Sequence, residues 1–165
     1  MEIGVWFLSS PRTYVLFRDL GDHFRLGFFD GASVDGSCGC RALIRLFPSR
    51  EYHFFWNGGR GNNSWAKIVA LWGILQNAMW LDIYSFRVTG DPKVFIDWLH
   101  GWNSLEVHSL HHWMVNIKAL YSSFFDITFM NVYKHKNLVA DVLRKRGITL
   151  YPCFMVFELR IDGTI

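Results

Sequence analysis

Three aspartates, Asp30, Asp91 and Asp141, lie on separate segments of this chain at or near the ends of its predicted elements. Carboxylates gathered from different segments form oxygen-only donor sets, and such sets suit hard divalent cations such as Mg²⁺. Asp30 closes HFRLGFFD (23–30), a stretch in which Phe24, Leu26, Phe28 and Asp30 share one face of a strand. A carboxylate in an apolar parity is costly unless it is paired or bound to a metal. Asp91 follows the β-branched run in VTGDPKVFIDWL (88–99). There it also suits a helix cap, accepting a hydrogen bond from an otherwise unpaired backbone N–H. Pro92 fits the first helical position, where its missing N–H costs nothing. Asp141 lies in NLVADVLRKRG (137–147), one helical turn after Asn137. Capping alone explains Asp91; only convergence gives the three acids a common purpose.

Convergence requires a sheet whose strand ends meet. The strand that carries Asp30 is followed by GASVDGS (31–37), which reads as a glycine-rich turn. CGCRALIRLF (38–47) and EYHFFW (51–56) then read as two further strands of an antiparallel meander. Asn62, Asn63 and Ser64 offer caps for a long helix in which Ile68, Leu71, Trp72, Leu75 and Met79 recur at helical spacing. A fourth strand near 82–88 enters the Asp91 turn, and the short helix after it buries Val94, Phe95, Trp98 and Leu99. A helical pattern over about 105–121 aligns Leu110, Trp113, Ile117 and Leu120. FDITFMNVY (125–133) is a fifth strand, and NLVADVLRKRG is a closing helix that Gly147 ends. Hairpin-linked strands followed by crossovers through helices imply an α/β fold with a mixed sheet. If the first and fourth strands run parallel and adjacent, their carboxyl ends share a crevice of the kind in which α/β proteins place ligands. Residues 1–22 read as an irregular lead-in and 23–147 as the domain. The tail over 148–165 reads as an added strand.

Composition narrows the partners. A chain of 165 residues with 51% hydrophobic residues supports one core, and 18% aromatic content marks a well-buried interior rather than disorder. The formal charge of +3 is compatible with a polyanionic partner. No apolar run is long enough to span a bilayer, so no membrane partner is expected. Arg12, Arg18, Asp19 and Asp22 interrupt any secretory signal, and a nuclear or cytoplasmic setting is expected. Cys38, Cys40 and Cys153 form an odd set without zinc-binding spacing and read as reduced thiols. His108 and His112 are four apart but, with His111, are better read as a polar helix face than as zinc ligands. Trp65, Trp72, Trp98 and Trp113 fall in apolar stripes and read as core.

FFDGAS (28–33), NNSWAKIVALWGIL (62–75), VTGDPKVFIDWL and NVYKHKNLVADVLRKRG (131–147) come in an order and spacing that resembles a known family. It is the ribonuclease H-like domain attached to plant non-LTR retroelement reverse transcriptases. The resemblance implies a ribonuclease H-like fold: a five-stranded mixed sheet, its first three strands an antiparallel meander, flanked by helices. It also implies hydrolysis of the RNA strand of RNA–DNA hybrids at an acidic site holding two Mg²⁺ or Mn²⁺ ions. Such a site works by in-line displacement, one metal activating water and the other stabilising the leaving oxygen. Asp30, Asp91 and Asp141 match three of the family's four metal-binding catalytic acids.

Lys67 stands where the family has a glutamate. Three aspartates and one lysine carry −3 + 1 = −2, against −4 for four acids. At 4 Å and an effective dielectric of 20, a lysine opposes a divalent ion by roughly 8 kcal/mol before relaxation. Impaired hydrolysis is therefore expected, with one metal position weakened or lost. Lys67 would contact the scissile phosphate or replace the charge of one cation. Asn63, Asn137, Lys134 and Lys136 are candidate substrate contacts, with Arg144, Lys145 and Arg146 adding phosphate-facing charge. His135, at a position where the family often has an acid, reads as an exposed loop imidazole. The alternative is a non-catalytic nucleic-acid-binding relic of a retroelement. With no polymerase segment before Met1, a piece of a longer element is expected.

Overall fold

Asp35 and Gly36 both have positive φ, 51° and 77°, and together they make the two-residue turn that joins β1 (Leu26–Val34) to β2 (Ser37–Leu46). Such a turn matches the right-handed twist of the flanking strands, which is why Asp-Gly is favoured there. The antiparallel ladder runs unbroken from Leu26 opposite Arg45 to Val34 opposite Ser37. The expected loop over 31–37 is thereby corrected: two residues suffice to turn, and the four before them remain paired. Asp30 consequently sits inside β1 rather than at its end.

The computed structural model describes residues 25–46, 50–90, 108–131 and 154–160. β3 (Arg50–Arg60) continues the meander, with a register shift at Cys38/Gly39 marking a bulge. Helix α1 (Asn63–Trp80) starts at the Asn62 cap, whose side-chain oxygen accepts the Trp65 N–H at 2.9 Å. After α1 the Asp82 N–H donates to the Met79 carbonyl, with Asp82 at φ 56°. This turn delays β4 to Ser85–Gly90, later than the expected 82–88. Helix α2 (His108–Tyr121), β5 (Asp126–Asn131) and β6 (Phe154–Arg160) follow.

The strand order is β5-β4-β1-β2-β3-β6. β1 and β5 each pair in parallel with β4, and the remaining pairs are antiparallel. The five-stranded mixed sheet expected from the sequence is present, and β6 extends it at the β3 edge.

One sheet face carries the main core. Phe29, Ala42, Ile44, Phe54 and Val88 pack with Ile68, Leu71, Ile74 and Leu75 of α1 and with Leu110, Met114 and Ile117 of α2. Each such large side chain contributes ~1.5–3 kcal/mol by leaving water. Trp113 stands edge-on to Trp65 and Trp72, with ring centroids 5.8 and 5.5 Å apart, so these three tryptophans do serve as packing. Cys38 and Cys40 are buried and free. The opposite face holds a smaller cluster of Leu26, Leu43 and Phe28. Among the described residues no helix is long and apolar enough to cross a membrane. His111 and His112 are exposed, as expected of a polar helix face. Asp91, Lys134, His135, Lys136, Asn137, Asp141, Trp98, Cys153 and the two helices expected over 92–99 and 137–147 lie outside the described residues.

Candidate active site

Side chains alternate along a strand, and β1 shows which face each one takes. Gly27, Phe29 and Gly31 face the main core, so Asp30 points to the opposite face, with Leu26 and Phe28. That is the apolar parity read from the sequence. Asp30 is half-buried there, and its Oδ1 accepts the Gly31 N–H at 2.9 Å.

Three contacts hold the start of α1 beside β1. A Cβ on Gly31 would stand 2.1 Å from the Ala66 carbonyl oxygen and 2.7 Å from the Lys67 nitrogen, so strand and helix backbones touch at this point. Asn63 Oδ1 accepts the Ser33 N–H at 2.8 Å, and Ser33 Oγ donates to the Gly61 carbonyl at 2.6 Å. Asn63, a candidate substrate contact, thus also ties helix to strand. Lys67 is half-buried, flanked by buried Ala66 and Ile68, on a helix face with buried Ala70, Leu71 and Ile74. Its main chain borders the residue next to Asp30.

The parallel pairing of β1 with β4 supplies the expected adjacency. The described register ends with Phe29 opposite Gly90, one residue before Asp30. Asp91 follows Gly90 in the sequence.

The sequence reading passed over Arg41. It is paired with Asp30 in the β1–β2 register and lies on the same sheet face. Only 8% of it is exposed, and among the described residues its buried Nε and Nη1 donate to no group. The guanidinium carbon lies 5.8 Å from the centroid of Phe55. Burial pulls the Arg41 pKa down to about 10, against the upward pull of the Asp30 and Glu51 charges. The signal that marked Asp30 also marks Arg41: within CGCRALIRL it shares the parity of Leu43, a charge in an apolar row. Farther along this face, Glu51 accepts from Arg45 Nε at 2.6 Å and lies 3.2 Å from His53 Nε2. Burial would raise the Glu51 pKa, but the His53 hydrogen bond and the Arg45 charge outweigh it and hold it below 4.5.

The described donors alone do not make a site for two divalent ions. The described part of the site offers one carboxylate, Asp30, with a buried guanidinium opposite it and a lysine where the fourth acid was expected. Among the described residues no group of three or more His, Cys, Asp or Glu is placed to hold a metal.

An antiparallel meander β3-β2-β1, continued by parallel β4 and β5 and covered by α1, is the fold of the ribonucleases H. Ribonuclease H1 from the halophilic archaeon Halobacterium salinarum has a TM-score of 0.65 to this chain at 21% identity, covering 74% of this chain and 96% of its own. The N-terminal ribonuclease H domain of a Mycobacterium tuberculosis protein gives 0.64 at 22%, covering 75% and 98%. LC11 ribonuclease H1, isolated from compost and solved in complex with an RNA/DNA hybrid, gives 0.64 at 17%, covering 75% and 96%. The foamy viral protease-reverse transcriptase, solved in complex with dsDNA, gives 0.56 at 15%, covering 77% and 96%. By sequence, the chain belongs to the reverse transcriptase-like family, whose model it matches over residues 29–147. No curated protein matches it.

Proposed function

We propose that this chain is a ribonuclease H-type domain of plant non-LTR retroelement origin that binds RNA–DNA hybrids, its hydrolysis of the RNA strand curtailed by Lys67. The observation that carries this reading is the setting of Asp30 on β1. The residue is half-buried, one step beyond the last described pair with parallel β4, and has the Lys67 main chain packed against its neighbour Gly31. Asp91 and Asp141 are proposed as its catalytic and metal-binding companions on the strength of the four motifs. Family membership and the hybrid seen in the LC11 complex support an RNA–DNA ligand. A net charge of +3 suits a phosphate backbone. Recognition would rest on phosphates and 2′-hydroxyls rather than on base sequence.

The test compares wild type with Lys67→Glu on a labelled RNA–DNA hybrid, with Mg²⁺ or Mn²⁺ as the variable. The expected outcome is hybrid binding by both forms, with cleavage raised at least tenfold by the glutamate. Absence of both binding and cleavage in either form overturns the proposal. The second reading, a non-catalytic binding relic, is favoured by one observation: a buried arginine sits opposite Asp30. Hybrid binding by both forms with no cleavage from either would select it.

A further inference from the structure

We propose that Arg41 is the resident counter-ion of Asp30, a fixed guanidinium beside that carboxylate that disfavours a divalent ion there. Arg41 and Asp30 are directly opposed in the β1–β2 ladder and share a face. Directly opposed residues of an antiparallel pair have Cα atoms only about 4.5–5.5 Å apart. With 8% exposure, the Arg41 charge is shielded little by water, and two of its buried donors are unmatched among the described residues. A buried cation in that state is tolerated only if a nearby anion balances it. Among the described residues, the carboxylates whose fields reach it are Asp30 and Glu51. Glu51 is already engaged by Arg45 and His53. Of the two, Asp30 is the one directly opposite Arg41 in the ladder, so a divalent ion at Asp30 would meet a permanent like charge that cannot titrate away near neutral pH. The metal half of the proposal rests on the reading of Asp30 as a site residue; the charge pairing does not.

The two roles predict opposite signs. In a group of carboxylates awaiting metal, neutralising one relieves repulsion and stabilises the metal-free fold. If Asp30 balances Arg41, Asp30→Asn leaves a buried cation uncompensated and destabilises it.

The experiment is a double-mutant cycle on the whole chain, by urea unfolding in EDTA, with Asp30→Asn, Arg41→Met and the double variant. Mn²⁺ binding is followed in parallel by electron paramagnetic resonance. Asp30→Asn is expected to lower the folding constant about tenfold with Arg41 present and to have little effect with Arg41→Met, as coupled neighbours do. Arg41→Met is expected to tighten Mn²⁺ binding at least tenfold, a gain abolished in the double variant, whereas Arg41→Lys keeps the weak binding. Stabilisation by Asp30→Asn, equal effects in both backgrounds, or Mn²⁺ affinity indifferent to Arg41→Met overturns the proposal. If Arg41→Met fails to fold, the sign of the Asp30→Asn effect decides. Hybrid binding by wild type in EDTA reports separately: its loss would end the nucleic-acid reading and leave the result of the cycle standing.

Discussion

Gly31 rests on the main chain of Ala66: a methyl group in place of its pro-side-chain hydrogen would lie 2.1 Å from the Ala66 carbonyl oxygen. Backbone cannot swing aside as a side-chain tip can. Strand β1 and the first turn of α1 are therefore set at a separation only glycine permits. The same contact brings the segment carrying Lys67 beside the strand carrying Asp30. Gly31→Ala should cost roughly 3 kcal/mol, the upper end for overpacking. Urea unfolding checks this, and a loss below about 1 kcal/mol would show that strand and helix separate easily. The hybrid affinity of the variant should fall further than its stability, because Asp30 and Lys67 move apart.

Gly36 lies at φ 77° at the tip of the first hairpin. An L residue there meets its own carbonyl, so Gly36→Ala should destabilise by about 1–2 kcal/mol. Asp35→Asn, at φ 51°, should be neutral within about 0.5 kcal/mol, since Asn tolerates the left-handed region. Thermal unfolding of the two variants side by side distinguishes a turn that sets the register from one that merely follows it.

Glu51 controls part of the acid limb of stability. Its folded pKa lies below the ordinary 4.5, so its ion pairs stabilise the fold fully above 4.5. That contribution is lost as pH falls through the depressed folded value. Glu51→Gln should therefore destabilise at pH 7 and by less at pH 3. Chemical denaturation at the two values measures the difference directly. An equal loss at both would assign the effect of Glu51 to packing.

Cys40 is 2% exposed, and its Sγ lies 3.3 Å from the Ala66 carbonyl oxygen. Burial raises its pKa, and the charges of Cys38 and Asp30 raise it further. The thiolate is the reactive form, so iodoacetamide at pH 8 should modify Cys40 at least tenfold more slowly in the native protein than in urea. Peptide mass spectrometry reads the ratio. Rapid native labelling would mean that the β1–α1 contact opens readily.

Much of this molecule can be read from residue order. Period-two rows in HFRLGFFD and CGCRALIRL gave strands, and the spacing of Ile68, Leu71 and Leu75 gave α1, because each pattern needs only its own segment to face a core. Asn62 announced the start of that helix by its side-chain chemistry. The turn was misread as seven residues, although Asp35-Gly36 carries the strongest short hairpin signal available. Read as a two-residue turn, it would have placed Arg41 opposite Asp30 without any structure. A carboxylate in an apolar row points to a metal, whereas a cation in the same row points to nothing until its partner strand is known.

The sequence by itself determined which face Asp30 and Arg41 take along their own strands, the order of the described elements, and the family resemblance. Only the tertiary structure decided that β4 runs beside β1 with Gly90 level with Phe29, and that α1 touches β1 at Gly31. It also showed that the Arg41 guanidinium is buried with unmatched donors. The physical reason is that side-chain periodicity is a property of one segment. The pairing of distant strands and the desolvation of a charge depend on everything packed around them.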